Sequence, residues 1–181
     1  MNKKTSILQI LRISNQKKKK NNNHFIDKIK SFETIFILIG GVDKNVHIYV
    51  ENQEAKMIEK SRLDGHEDWI LDLSFLELTD SNPEQSRLLL ASSSKDGYIR
   101  LWNFSLSQKQ EKSIFSGVSF NVSRIIDVNN KECEISLEAL LIAHENWVYS
   151  VNWHPPILKE GKKIQPLLLL SASMDRSMIV W

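Results

Sequence analysis

The sequence predicts an all-β fold built from repeated four-stranded units, and three observations predict it. Residues 65–102 and 143–181 are two copies of one pattern, each opening at a histidine, His66 or His144, and closing on a tryptophan. Within each copy, short runs of alternating apolar and polar residues have the period-two pattern of strands. Turn residues separate these runs. Self-similarity at a fixed period is typical of repeat architectures, so each unit should be a small sheet stacked against its neighbours.

The first thirty residues differ from the rest in charge and composition. They contain nine Lys or Arg and one Asp, a net charge of +8, whereas residues 31–181 contain 15 basic and 21 acidic residues, a net charge of −6. Because such a polar segment has little apolar surface to offset the entropy of ordering, residues 1–30, rich in Lys and Asn, are predicted to be disordered. The lysine run at 17–20 could instead be a nuclear-import signal or a nucleic-acid arm, but no aromatic residues interleave with it to stack on bases.

Other sequence features argue against several classes of protein. Cys133 is the one cysteine, so no internal disulfide can form, and a reducing cytosol or nucleus is the expected compartment. The apolar runs are too short to span a bilayer, and no signal-peptide pattern follows the basic N-terminus. The five histidines lack the spacing of a zinc site, and no glycine-rich phosphate loop follows a strand. No metal or cofactor is therefore predicted.

The first unit, residues 31–64, reads as the end of a repeat. An apolar run at 35–40 and a second run at 46–49 flank the turn around Asp43, and a further strand is predicted over 55–63. No histidine lies about thirty residues before Asp43. The beginning of this unit is therefore expected to be missing or replaced by the lysine-rich segment.

The second unit spans residues 65–142. A strand is predicted over 69–75, and a hairpin around the Asp-Gly pair at 96–97, which suits a tight turn. Residues 105–134 are predicted to be a polar surface insertion, in which 114–122 could pair locally. Residues 135–142 return to strand.

The third unit, residues 143–181, repeats the pattern and is truncated. It has a strand over 147–153, a loop over 157–165 that carries three lysines, and a final hairpin. Leucine runs such as 88–90 and 167–170 lack clean alternation, which predicts that both faces of each sheet are covered by neighbouring units.

The histidine opening, the turn aspartate and the terminal tryptophan resemble the signature of the WD-repeat β-propeller family. The resemblance implies a buried hydrogen-bond chain in each blade, running from the tryptophan indole to a serine, then to the histidine, then to the turn aspartate. The implied members are Trp102, a serine among residues 92–94 with Ser92 favoured, His66 and Asp96 in one blade, and Trp181, Ser171 or Ser173, His144 and Asp175 in the next.

Serine, histidine and aspartate together are also the catalytic triad of hydrolases. Here the combination occurs twice at matched spacing, each time with a tryptophan, and no Gly-x-Ser-x-Gly nucleophile elbow accompanies it. A structural bond network belongs in every blade, whereas one active site seldom needs internal copies. The structural interpretation is therefore preferred, no catalytic residue is predicted, and the chain is expected not to be an enzyme.

Residues 136–181 also resemble the WD-repeat subunits of the Elongator complex, in the sequence HENW at 144–147, the Trp-x-Pro motif that begins at Trp153, and SASMD at 171–175. This resemblance extends over about residues 40–181. It implies a non-catalytic scaffold that supports wobble-uridine modification of transfer RNA through contacts with other core subunits, namely the catalytic acetyltransferase-like subunit and the large scaffold subunit. It further implies indirect contact with transfer RNA, no membrane partner, and a cytoplasmic and nuclear location.

Two full units and part of a third are too few to close a propeller, which needs about four to eight blades. A partial propeller is therefore expected. A fragment of a longer chain is the preferred interpretation, and the alternatives are a truncated gene model or a piece that oligomerises. The alternative function is a general WD-repeat adaptor that binds peptides or chromatin, with the lysine-rich segment as an address signal. A propeller hydrolase ranks lowest.

Overall fold

The computed structural model describes residues 7–13, 34–79, 86–108, 123–128 and 131–181, and this part of the chain consists of strands and turns without a helix. The predicted all-β class is confirmed. The strands are β1 Ile7–Ile13, β2 Thr34–Gly40, β3 Val46–Glu51, β4 Met57–Leu63, β5 Ile70–Thr79, β6 Ser86–Ser94, β7 Ile99–Gln108, β8 Arg124–Val128, β9 Lys131–Leu141, β10 Val148–Trp153, β11 Ile157–Lys159, β12 Lys162–Ile164, β13 Leu169–Ser173 and β14 Met178–Val180.

The first sheet has the strand order β1-β2-β3-β4. Alternate side chains of β2 and β3, among them Phe36, Leu38 and Ile48, are fully buried, because the pleat of a strand directs every second residue to the same face. At Gly40, a Cβ atom would lie 2.6 Å from Cγ2 of Ile70. Glycine at this position therefore allows the first sheet to approach β5 of the second sheet closely.

The prediction of disorder over residues 1–30 needs one correction. Residues 7–13 form β1, which pairs with β2 from Ile7 opposite Gly40 to Ile13 opposite Thr34. The sequence ILQILRI is mostly apolar, but the lysines and asparagines around it make the composition of residues 1–30 as a whole polar. The edge of β2 presents unpaired backbone groups with which this segment pairs. The first sheet therefore has four strands, whereas the sequence predicted only the end of a repeat unit there. The lysine run at 17–20 lies outside the described residues.

The second sheet has five strands in the order β5-β6-β7-β9-β8, where four were predicted. The predicted insertion at 105–134 is in part sheet, since β7 continues to Gln108 and β8 pairs with the first half of β9. The sequence RIIDV of β8 alternates, and it buries Ile126 and Val128 against the core. The strand pairing suggested for residues 114–122 falls outside the described residues.

The third sheet has the order β10-β13-β14 in the described residues. Most of the loop predicted at 157–165 is instead the separate hairpin β11-β12. Its turn residues, Glu160 and Gly161, have φ of 54° and 73°. Positive φ at both central residues is typical of the tight turns that join two antiparallel strands. Glu-Gly is not one of the pairs, such as Asn-Gly and Asp-Gly, that predict these turns from sequence.

The three sheets pack face to face in chain order. One core, which includes Leu38 and Phe104, lies between the first and second sheets, and another, which includes Ile99 and Leu169, lies between the second and third. The second sheet is thus covered on both faces, as predicted, whereas Leu170 of the third sheet remains 44% exposed on the opposite face from Leu169. Stacked antiparallel sheets that do not close a ring within the described residues form a partial propeller.

Hydrogen bonds also join the second and third sheets through β5 and β10, which are edge strands of their sheets. The Asp72 carboxylate on β5 accepts bonds from the Ser150 hydroxyl at 2.7 Å and the Val151 amide at 3.0 Å on β10. The indole N–H of Trp153 donates to the backbone carbonyl of Ser74 at 3.0 Å. These bonds fix how far one sheet can slide over the next.

Candidate functional site

The loop before β5 and the hairpin β6–β7 bring four predicted residues together in the second sheet. The Nδ1 atom of His66 lies 2.8 Å from a carboxylate oxygen of Asp96, and its Nε2 atom lies 2.8 Å from Oγ of Ser92. The indole N–H of Trp102 donates to the same Ser92 oxygen at 3.0 Å. With a proton on Nδ1, His66 donates to Asp96 and accepts from the Ser92 hydroxyl, so the four groups form one continuous chain.

The Asp96 carboxylate is the acceptor at the end of this chain. Burial opposes its ionisation, but the hydrogen bonds from His66 and from the Glu67 and Tyr98 amides outweigh that effect and hold the pKa of Asp96 well below its ordinary value. The Nη1 atom of Arg100 lies 2.8 Å from Nδ1 of His66 and 3.3 Å from the Asp96 carboxylate, to which it donates. Arg100 lies two residues before Trp102 and so shares its side of β7, but the family pattern does not include it and the sequence did not predict it.

The third sheet repeats this arrangement at the equivalent positions. His144 lies 2.9 Å from the Asp175 carboxylate through Nδ1 and 2.7 Å from Oγ of Ser171 through Nε2, and Trp181 donates to Ser171 at 2.9 Å. The hydroxyl and amide of Ser177 both donate to Asp175, and together with the other donors they hold its pKa well below the ordinary value. Ser177 thus supplies a side-chain donor to the turn aspartate, as Arg100 does in the second sheet, although the position aligned with Arg100 is Ile179.

Strand register decides between the serines that the sequence left open. Ser92 and Ser171 lie inside the chains just described, whereas Ser94 and Ser173, two residues further on, serve the turns. The Ser94 hydroxyl donates to the carbonyl of Asp68 at 3.1 Å and accepts the amide of Asp96. Each blade therefore uses one serine in the buried chain and another to hold the adjacent loops together.

The connectivity from Ser92 to His66 to Asp96 is that of a hydrolase triad, but its surroundings differ from those of an active site. Ser92 is fully buried, and its oxygen already accepts the indole N–H of Trp102. An attacking hydroxyl needs room for an acyl carbon beside it and donors for the resulting oxyanion. The geometry therefore favours the structural interpretation of both quartets.

The first sheet uses a different arrangement around its turn aspartate. Asp43 bonds to His47 of β3, whose other ring nitrogen lies 2.9 Å from Glu59 of β4. Burial disfavours protonation of His47, yet its bonds to Glu59 and Asp43 raise its pKa above the ordinary value. An open cleft of about 220 Å³ borders Asp43, His47 and Tyr49. In this sheet Ile39 and Tyr49 stand at the positions of the serine and the tryptophan.

Metal-ligand clusters and membrane-length helices are both absent from the residues that the structure describes. In these ranges, no three or more His, Cys, Asp or Glu side chains are grouped so that they could hold a metal ion. The same part of the chain contains no helix of the length and apolarity that crossing a membrane requires.

Comparison with known proteins identifies the repeats and several relatives. The family model described as WD domain, G-beta repeat matches residues 58–103 and 135–181. The chain is 35% identical over 155 residues to Elongator complex protein 2 of Arabidopsis thaliana. This match covers 80% of this chain and 18% of that protein. It is 34% identical over 176 residues to the protein of the same name from Dictyostelium discoideum, with 80% of this chain and 20% of that protein covered. Elongator complex protein 2 of Homo sapiens is 33% identical to the chain over 146 residues, a match that covers 78% of this chain and 17% of that protein. The chain thus spans about a fifth of the length of these relatives.

Proposed function

The chain belongs to the WD domain, G-beta repeat family, and on that premise we propose that it is a propeller segment of an Elongator subunit that acts as a non-catalytic scaffold. The observation that carries the proposal is its similarity to Elongator complex protein 2 of a plant, an amoeba and an animal, at 33–35% identity over about four fifths of the chain. Residues 58–103 and 135–181, which match the repeat family, include strands of all three stacked sheets.

The geometry of the two quartets supports a role without catalysis. Each one uses its serine, histidine and aspartate to join a loop to a hairpin within one blade, and the serine and histidine are buried. Unpaired polar groups in such a site cost about 1–3 kcal/mol each, so a complete chain of bonds stabilises the blade. The exposed loops and blade edges are left for recognition of other molecules.

The proposed partners are other Elongator core subunits, and contacts with them would support the modification of wobble uridines in transfer RNA. The catalytic acetyltransferase-like subunit and the large scaffold subunit are the partners that the family resemblance implies. The chain would contact transfer RNA only indirectly, and it would work in the cytoplasm and the nucleus. Residues 31–181 carry a net charge of −6, which supports protein partners rather than direct contact with a polyanion.

Affinity purification of the tagged 181-residue chain, followed by identification of the co-purified proteins, tests the scaffold. We expect other Elongator subunits with the wild-type bait and much less of them with Trp102→Ala, which should disrupt the second blade. Recovery of chromatin proteins or unrelated adaptors alone would favour the general adaptor instead. Hydrolytic activity that Ser92→Ala abolishes while the far-UV circular dichroism spectrum is unchanged would contradict the absence of catalysis.

A further inference from the structure

Two tryptophans from neighbouring blades enclose the ammonium group of one lysine. The Nζ atom of Lys95 lies 4.5 Å from the ring centroid of Trp69 and 3.9 Å from that of Trp147. Trp69 and Trp147 occupy equivalent positions, three residues after the histidine of their repeats. The backbone amide of Lys95 also donates to the carbonyl of Trp69 at 2.9 Å, and this bond holds the Lys95 backbone next to Trp69. We call Trp69, Lys95, Trp147 and the adjoining Tyr149 the indole clasp.

The clasp opens to solvent through two of its aromatic rings, Trp69 and Tyr149. Tyr149 packs edge-to-face against Trp147, with 6.2 Å between the ring centroids. Trp69 is 44% exposed and Tyr149 is 48% exposed, and no other Phe, Tyr or Trp side chain among the described residues is as exposed. Exposed aromatic rings that cluster on a surface are typical of protein-binding sites, where they supply large contact area.

The loops around the clasp carry negative charge. Glu67 and Glu145 follow the two histidines, and both side chains are exposed, while their backbone amides donate to Asp96 and Asp175 at 3.0 Å. The turn that holds Lys95 faces the loop of Glu145, since a Cβ atom on Gly97 would lie 3.7 Å from the His144 carbonyl oxygen. Two exposed carboxylates therefore lie on the loops that border the aromatic rings.

We propose that the indole clasp binds an arginine side chain of a partner protein, and that Lys95 is a resident cation which the arginine displaces. This inference rests on the proposed function only in requiring a protein partner. An aromatic ring attracts a cation over its face, and a planar guanidinium stacks on indole better than an ammonium does. Glu67 and Glu145 supply the counter-charge that an incoming arginine needs, whereas an acidic partner would meet two carboxylates of its own sign.

The test measures binding of a fluorescein-labelled peptide of alternating glycine and arginine to the full chain by fluorescence anisotropy. Each ring removed should weaken binding about two- to fivefold, so Trp69→Ala with Tyr149→Ala should weaken it about tenfold. Lys95→Ala should tighten binding, because the arginine then enters an empty clasp. Glu67→Gln with Glu145→Gln should weaken binding and flatten its salt dependence.

Matched controls and the contrary results are available in the same chain. Met178→Ala removes an exposed apolar side chain from the third sheet, and Glu138→Gln removes an exposed charge from β9, and neither should change the affinity. Equal binding by wild type and the Trp69/Tyr149 double variant would overturn the proposal. Weaker binding of the arginine peptide by Lys95→Ala would also overturn it, because Lys95 would then support the site instead of competing for it. Tighter binding of a glycine–glutamate peptide would assign the site to an acidic partner.

Failure of this inference can be distinguished from failure of the proposed function. If the Trp69/Tyr149 double variant still purifies Elongator subunits as wild type does, the clasp proposal is wrong and the scaffold proposal stands. If the wild-type chain recovers none of those subunits but binds the arginine peptide through the clasp, the scaffold proposal is wrong and the clasp stands.

Discussion

Replacing Trp102 tests the buried quartet of the second blade, and two substitutions separate its hydrogen bond from its packing. Trp102 is 6% exposed, and its indole N–H donates to Ser92 at 3.0 Å. Trp102→Phe keeps an aromatic ring but removes the donor, which should cost about 1–3 kcal/mol. Trp102→Ala also leaves a cavity in the core shared with the first sheet, so the cost should rise to about 3–5 kcal/mol.

The assay is urea-induced unfolding of the 181-residue chain, followed by circular dichroism. Because the unfolding free energy falls linearly with urea, the two variants should unfold at successively lower urea concentrations than wild type. Trp69→Ala is the matched control, since Trp69 is 44% exposed and its loss should cost about 1 kcal/mol or less.

Two results would refute this reasoning. If Trp102→Ala unfolded at the wild-type urea concentration, Trp102 would not be part of the core. If Trp102→Phe were as stable as wild type while Trp102→Ala was not, the ring would matter and its bond to Ser92 would contribute nothing.

Three further predictions follow from the described contacts. The pKa values of Asp96 and Asp175 are held below the ordinary 3.8, so the stability that these ionised groups contribute is present above that pH and is lost as the pH falls towards their folded-state pKa values. Urea midpoints should therefore fall steeply below about pH 4 in wild type and less steeply in the double Asp→Asn variant. Equal slopes in the two proteins would contradict this. Burial raises the pKa of the Cys133 thiol to about 12, so maleimide should label it only after urea unfolds the chain, and rapid labelling without urea would be contrary to the structure. Asp72→Asn should weaken the contact with Ser150 between the second and third sheets and so raise the rate of amide hydrogen exchange in β10. Asp127→Asn on β8 is the control. An unchanged exchange rate in β10 would argue against the inter-sheet bonds.

The repeated spacing made most of the quartets predictable from sequence. His66 and Asp96 in one unit and His144 and Asp175 in the next stand at matched positions, and the family pattern supplied the bonds between them. The serine could only be narrowed to a few positions, because Ser92, Ser93 and Ser94 follow one another and are all fully buried. Ser92 is distinguished by its hydrogen bonds to His66 and Trp102, which the sequence does not show.

Other features depend on contacts between units, which the pattern of a single unit does not contain. The bond from Asp72 to Ser150 joins two strands 78 residues apart in the sequence, and a lone aspartate in an apolar strand gives no sign of its acceptor role. Lys95 approaches Trp147 only because the second and third sheets stack. Strand β1 was missed because its apolar residues lie in a segment whose overall composition is polar.

Proton exchange at the tryptophan indoles tests directly whether a buried quartet holds each blade together. In nuclear magnetic resonance spectra of the chain labelled with nitrogen-15 tryptophan, the indole proton of Trp102 should persist in heavy water far longer than that of exposed Trp69, and Ser92→Ala should remove this protection. Equally fast exchange at Trp102 and Trp69 in the folded wild-type chain would contradict the account.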